Sequence, residues 1–330
     1  MLRRTISLKY TSLVMVFVLI LSACKKEDYA LPTAQSGLQT DVLKRSLGPN
    51  IVGQPLEFAF AMAILPGQGK LTSAQVEASI AGGTGTYLEN NSYYTDNTGT
   101  DRPVNIGSAS VTNGNVTTVT YAKDTSAATL RYFYTIPEAA RGQAVSFKFT
   151  ATASTGETKT FNLGPYTISK MDMVRNLAVS NNNVAYISIE NMAVYNSANA
   201  AANAGKIDLV YLFRNITTSP FNHALVSPAA DPVYLPGITL PAGVNRSTKT
   251  LKVFNLQDYN LAPTTQFGIY IDDRDFQEID LSNSPNYAIN LRAEAGVWVE
   301  TADGKFRAYV YLNSVNAAGT AVISIKRYTL

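Results

Sequence analysis

The chain has one cysteine, one histidine and one tryptophan in 330 residues. A single cysteine excludes an intramolecular disulfide framework, and a chain of this length buries its cores without one. With one histidine there is no multi-histidine metal site, and any Ser-His-Asp relay would have to form around His223. Charge is also scarce: Asp, Glu, Lys and Arg make up 15% of residues, against about 25% in an average soluble protein. The net charge of +3 is too small for a strongly basic nucleic-acid binder. Hydrophobic residues reach 46%, which excludes a disordered chain as a whole.

The apolar run Leu13–Leu21 holds nine residues, well short of the roughly 20 that a spanning helix needs. Arg3, Arg4 and Lys9 precede it and Ser22-Ala23-Cys24 follow it. A basic head, a short apolar core and small residues before a cut site describe a secretory signal over residues 1–23. Leu21-Ser22-Ala23-Cys24 resembles the bacterial lipobox, in which the cysteine is acylated and becomes the mature N-terminus. Cys24 is therefore expected to be a lipid attachment site, and its acyl chains the only link to the membrane. Removing residues 1–23 takes away three positive charges and no acids, leaving 24 basic against 24 acidic residues. Lys25-Lys26-Glu27-Asp28 resembles the surface-export signal of Bacteroidetes lipoproteins and points to an outer-membrane protein facing the exterior.

Residues 24–45 are polar and aperiodic and read as a flexible tether. Beyond them β patterning dominates. Residues 56–62, 75–80, 116–121, 130–134, 145–152 and 158–163 read as short strands, with a hairpin turn at Ser154-Thr155-Gly156-Glu157. Ile136 to Gly142 reads as one helical turn. Closely spaced strands with turn signals predict a β-sandwich over residues 46–175. A second β-rich domain is expected over 176–330, with strands at 184–189, 207–213, 251–256, 267–271, 297–300, 306–311 and 321–325. Ser197 to Ala204 reads as a short helix capped by Ser197. Helical insertions are expected around 256–261 and 272–280, and 214–248 as a long proline-bearing loop. The predicted class is mainly β: two β-sandwich-like (Ig-like) domains, the second with short helical insertions.

Few residues carry chemistry. His223 sits in the long loop without a motif and reads as an ordinary turn residue. Asp272, Asp273 and Asp275 offer hard oxygens for calcium, or one of a glycosidase's paired carboxylates, but they also fit the N-terminal acids of a short helix beside Arg274. The glycines at 82, 83 and 85 lie in β context and do not form a phosphate loop. Aromatic residues are the surplus. Tyr93 and Tyr94 lie in a polar stretch where rings would be exposed to stack on a sugar face; packing within that loop is the equal alternative. Tyr234, Tyr259 and Trp298 are further ligand-binding candidates, and strand alternation offers core packing for Trp298.

The strings 75–82, 128–137 and 164–173, with 187–195, 206–211, 223–230 and 300–310, resemble a family of uncharacterised two-domain Bacteroidetes lipoproteins over most of residues 46–328. Relatives of this kind stand near starch-utilisation-type glycan import systems. The resemblance therefore implies a polysaccharide ligand and an outer-membrane transporter complex as partners, with no catalytic residues to carry over and no cofactor. The expected function is non-catalytic binding of a glycan. Its rivals are a structural or adhesin-type surface lipoprotein and, last, a glycoside hydrolase.

Overall fold

The computed structural model describes residues 35–330, apart from 182, 217–220, 263 and 266. The signal segment, Cys24 and the first part of the expected tether lie outside the described residues. Residues 37–330 form a single compact unit.

Its first part contains β1 (Gln39–Lys44), β2 (Pro55–Ala63), β3 (Leu71–Ala78), β4 (Tyr87–Leu88), β5 (Asn91–Thr95), β6 (Asp101–Asn105), β7 (Val111–Asn113), β8 (Val116–Thr120), β9 (Ala127–Thr135), β10 (Ala144–Ala153) and β11 (Thr158–Thr167). These make one sheet ordered β1-β2-β9-β4, a second ordered β11-β10-β3-β8-β7, and a separate β5-β6 hairpin. All the pairings among these strands are antiparallel. Alternation decides which face is buried. Leu56, Phe58, Phe60 and Met62 of β2 point inward while Glu57, Ala59 and Ala61 do not. Phe58, Phe147, Phe149, Tyr132 and Tyr134 meet at the centre, with Phe58 and Phe147 centroids 4.8 Å apart. Such pairs add about 0.5–1.5 kcal/mol each beyond their buried area.

Part of the expected tether is a strand. Residues 39–44 form β1, which pairs with β2 over six positions. Leu38 and Val42 are buried there, but two apolar residues on an edge strand leave little periodic signal.

Ile168 is the last residue in the first core, and Met171 opens the second part. There lie β12 (Met171–Ser180), β13 (Tyr186–Ser188), β14 (Ala193–Tyr195), α1 (Ser197–Ala202), β15 (Leu209–Arg214), β16 (Asn222–Val226), β17 (Lys249–Phe254), α2 (Asp273–Glu278), β18 (Tyr287–Leu291), β19 (Ala295–Glu300), β20 (Phe306–Asn316) and β21 (Thr320–Thr329). One sheet runs β12-β21-β20-β19-β17 and the other β14-β13-β15-β16-β18. Val297, Val310, Ile323 and Ile325 meet Leu209, Tyr211 and Leu225 between the sheets.

Both outer faces are covered as well. Val210, Leu212, Ala224 and Val226 pack under α1 and the loop after β16, through Ala200, Leu235 and Val244. Trp298, Tyr309, Tyr311 and Tyr328 pack under the segment between β17 and β18, through Leu261, Ile271, Phe276 and Leu281. A sheet covered on both faces has no polar side, which is why Leu209–Leu212 and Ala295–Val299 are buried at every position.

Several local expectations change here. The long loop 214–248 contains strand β16, which pairs with both β15 and β18; its apolar run is too short to stand out from the prolines after it. Asn196 rather than Ser197 caps α1, accepting from the Asn199 N–H at 2.9 Å. Residues 256–261 are not helical, and 267–271 are no strand beyond one bridge from Asp258 to Ile269. The alternate residues Phe267 and Ile269 face water there, so no sheet surface rewards the pattern.

What holds that segment down is Lys326, on the outer face of β21. Its fully buried ammonium donates to the Asp258 carboxylate, to Asn260 Oδ1 at 2.9 Å and to the Ile271 carbonyl at 2.9 Å. Burial pushes the Asp258 carboxyl up and the Lys326 ammonium down, and each offsets that for the other by its charge. We predict that Lys326→Met, which leaves Asp258 buried and unpaired, lowers stability by about 3–5 kcal/mol. Adding Asp258→Leu should recover most of the loss. Urea denaturation of both variants reads the difference.

Candidate functional site

The β5-β6 hairpin stands at the side of the first sandwich, carried there by β4. After β4 pairs with β9, the chain is held at three points. The Ile106 N–H donates to the Asn90 carbonyl at 3.0 Å, Asn90 Nδ2 to the Gly107 carbonyl at 2.8 Å, and the Thr129 N–H to Ser92 Oγ at 3.0 Å. Asp96 closes the tip. Its carboxylate accepts from the Thr98 and Thr100 N–H groups, from the Thr98 hydroxyl and from Arg102 Nε. These bonds hold its carboxyl well below the usual range.

Tyr93 and Tyr94 are therefore strand residues, and neighbours in a strand point to opposite faces. Tyr93 faces the sheet, with the Arg131 guanidinium 4.0 Å from its ring centre. Burial, then the nearby Glu89 carboxylate, raises its hydroxyl pKa. Tyr94 faces the other way, 56% exposed, over a cleft of about 350 Å³ shared with Val104, Lys123, Asp124 and Ser126. The cleft offers an aromatic face beside a carboxylate, an ammonium and a hydroxyl. That combination stacks on an apolar ring face while exchanging hydrogen bonds with polar substituents. Lys123 and Asp124 enter the cleft from the β8-β9 connection, about 30 residues from Tyr94 in the sequence, so no local motif joins them.

The other sequence candidates fall in separate places. Tyr234, in a turn over Pro232–Tyr234, stacks on Tyr287 with centroids 3.5 Å apart. Tyr259 is exposed on the capping segment, 5.1 Å from Tyr270. Trp298 is core, packed at 4.9 Å from Tyr309 and 5.2 Å from Phe276, with no ring face open to a ligand.

Asp272 caps α2, accepting from the Arg274 N–H at 2.9 Å, while Asp275 accepts from the Asp272 N–H at 2.8 Å. Asp273 instead takes the Ser169 hydroxyl and the Lys170 N–H. The three carboxylates thus face different partners, and Arg274 pairs with Glu278. Among the described residues no group of three or more His, Cys, Asp or Glu is arranged to hold a metal ion. His223 is not a loop residue. It lies in β16, buried, with Nδ1 2.8 Å from the Tyr211 hydroxyl, and burial lowers its pKa.

The family described as Domain of unknown function (DUF4466) matches residues 35–168, and Domain of unknown function (DUF8576) matches residues 169–330. A DUF4466 family protein from Parabacteroides merdae, solved by crystallography, is 49% identical. The match covers 89% of this chain and 99% of that one, with a TM-score of 0.83. A cohesin module from a Clostridium perfringens family 33 glycoside hydrolase is 13% identical over 41% of this chain and 98% of its own, at a TM-score of 0.24. The major pilin subunit of Bacillus cereus, BcpA, is 8% identical over 88% of this chain and 65% of its own, at a TM-score of 0.27. No curated protein matches the chain.

The two neighbouring tyrosines should separate by thermal denaturation. Tyr93→Ala removes the ring under Arg131, which keeps its ion pair with Asp101, and is expected to cost about 1 kcal/mol. Tyr94→Ala should leave stability unchanged within about 0.5 kcal/mol.

Proposed function

The chain belongs to the DUF4466 family, and from that premise we propose that it is a non-catalytic glycan-binding protein, anchored by lipid at Cys24 on the outer cell surface. The observation that carries this reading is Tyr94, an exposed ring on a hairpin whose tip and base are both hydrogen-bonded into place. A backbone already fixed beneath the ring loses little entropy when the ring stacks against a sugar. Lys123, Asp124 and Ser126 beside it supply the donors and acceptors that hydroxyls need. The cleft has one carboxylate, Asp124, whereas glycosidic hydrolysis takes a pair; this supports binding over catalysis. Capture of polysaccharide for an outer-membrane importer is the role that fits such a site. A protein-contact role is the second reading, favoured by Tyr259, Phe267 and Ile269, all exposed on the capping segment.

Native affinity electrophoresis of the purified mature protein through plant, host and microbial polysaccharides tests the proposal. We expect at least one neutral polysaccharide to retard the protein, and Tyr94→Ala to weaken that binding about tenfold or more, the scale of a lost aromatic contact. Retardation that survives the substitution would remove the site and keep the function. A broad panel with no retardation would favour protein contacts instead. Separately, Cys24→Ser should abolish labelling by radioactive palmitate and move the protein from the membrane to the soluble fraction.

A further inference from the structure

A cleft of about 610 Å³ lies on the outer face of the five-stranded sheet of the first sandwich and is distinct from the Tyr94 cleft. Its volume falls within the usual range for small-ligand sites. The register explains why it is there. A bulge between Val145 and Phe147 shifts β10 against β11. Gly164 follows at φ +100°, where a Cβ would stand 2.9 Å from the Val145 carbonyl oxygen. The two strands approach there without side-chain bulk, and the surface dips.

Polar groups from three neighbouring strands line the dip. Lys148 stands opposite Glu77 on one side and Asn162 on the other. Directly paired residues share a face, so all three side chains point outward. Glu77 and Lys148 nonetheless form no salt bridge among the described residues. Two further groups are fixed by internal bonds that leave capacity over. Ser79 Oγ accepts from the Ser146 N–H at 2.9 Å, which frees its O–H to donate. Asn115 Nδ2 donates to the Ala78 carbonyl at 2.8 Å, which frees its Oδ1 to accept.

We infer that this groove is a second ligand site, one that takes a neutral sugar unit through its hydroxyls. The charges of Glu77 and Lys148 cancel, so neither an anion nor a cation gains by entering. The lining groups ask the ligand for donors and acceptors at close spacing, and a hydroxyl is both. The inference shares its ligand class with the proposed function but rests on other residues. Ser79 follows the end of β3, while the Thr125 carbonyl in the Tyr94 cleft bonds the Leu71 N–H at the start of that strand. The two sites are thus on the order of 20 Å apart.

Titration of the ¹⁵N-labelled mature chain followed by amide NMR tests it. The probes are methyl glucoside, galactoside, mannoside and xyloside, with phosphate and glycylglycine as charged controls. At least one glycoside is expected to shift the amides of Ser79, Asn115, Ser146 and Asn162. The apparent Kd should rise roughly tenfold in Glu77→Ala, the scale of a lost hydrogen bond to a charged group, and stay unchanged in Tyr94→Ala. Glu77 and Lys148 are on the solvent face, so retained amide dispersion in Glu77→Ala and Lys148→Met establishes that the variants fold. Shifts confined to the Tyr94 cleft would overturn the groove and leave the proposed function standing. Shifts confined to the groove would do the reverse for the Tyr94 site. Larger shifts with phosphate or glycylglycine, or none with any glycoside, would overturn the inference.

Discussion

An ammonium group hidden from water needs an acceptor for each of its three protons, and Lys326 finds all of them on one irregular segment. Asp258, Asn260 and the Ile271 carbonyl come from a stretch that, among the described residues, has no helix and one bridge of its own. Irregular backbone packs poorly over a sheet because its polar groups lack partners. Here the buried charge supplies one partner and fixes which turn lies over which strand. The Tyr309 hydroxyl donates to the Leu256 carbonyl at 2.6 Å, and Arg307 Nη1 to the Phe276 carbonyl at 2.7 Å, which fastens the rest. With that cover in place the sheet can expose Trp298, Tyr309 and Tyr328 outward and still keep them dry. Ile51 of the first sandwich enters the same cluster, so the cover also joins the two parts of the chain.

The opposite face has its own buried charge. Arg246 pairs with Asp208 at 3.0 Å and with Asp303 at 3.0 Å, joining the loop after β16 to the β19-β20 hairpin. Burial pushes the Asp208 carboxyl up to about 6, against the pull of that arginine and of the Ile189 N–H. Between the two parts, Asp172 stands between Arg141 of the first sandwich and Arg327 of β21. These buried and shared ionic contacts sit where irregular segments or separate parts of the chain meet.

Much of the fold was legible because sheets with one wet face alternate. β2, β3, β9 and β10 each show their period of two in the sequence and in their burial. Strands of the second part were legible as dense apolar runs, the mark of sheets covered on both faces. The features that escaped share one cause: they take their order from other elements and not from a pattern of their own. β1 and β16 are short and take their order from neighbouring strands, and the capping segment takes its order from Lys326, more than 50 residues away. The site followed the same rule. Composition singled out Tyr93 and Tyr94, yet only the pairing of β5 with β6 shows that one ring belongs to Arg131 and the other to solvent. For Trp298 strand alternation already offered core packing, and the second layer over its sheet is what buries it. Glu77, Lys148 and Asn162 are unremarkable in sequence and meet only through register.

The pairing of β1 with β2 also sets how the fold bears load. Any pull transmitted through the chain before Gln39 enters along the axis of β1, whose six residues are paired antiparallel with β2. Leu38, at the point of entry, is buried, and its N–H donates to Glu157 at 3.0 Å. Tension directed along that strand stresses the ladder in shear, so its bonds share the force instead of opening one after another like a zip. Under the proposed anchoring at Cys24, drag on a captured ligand would load this ladder in shear.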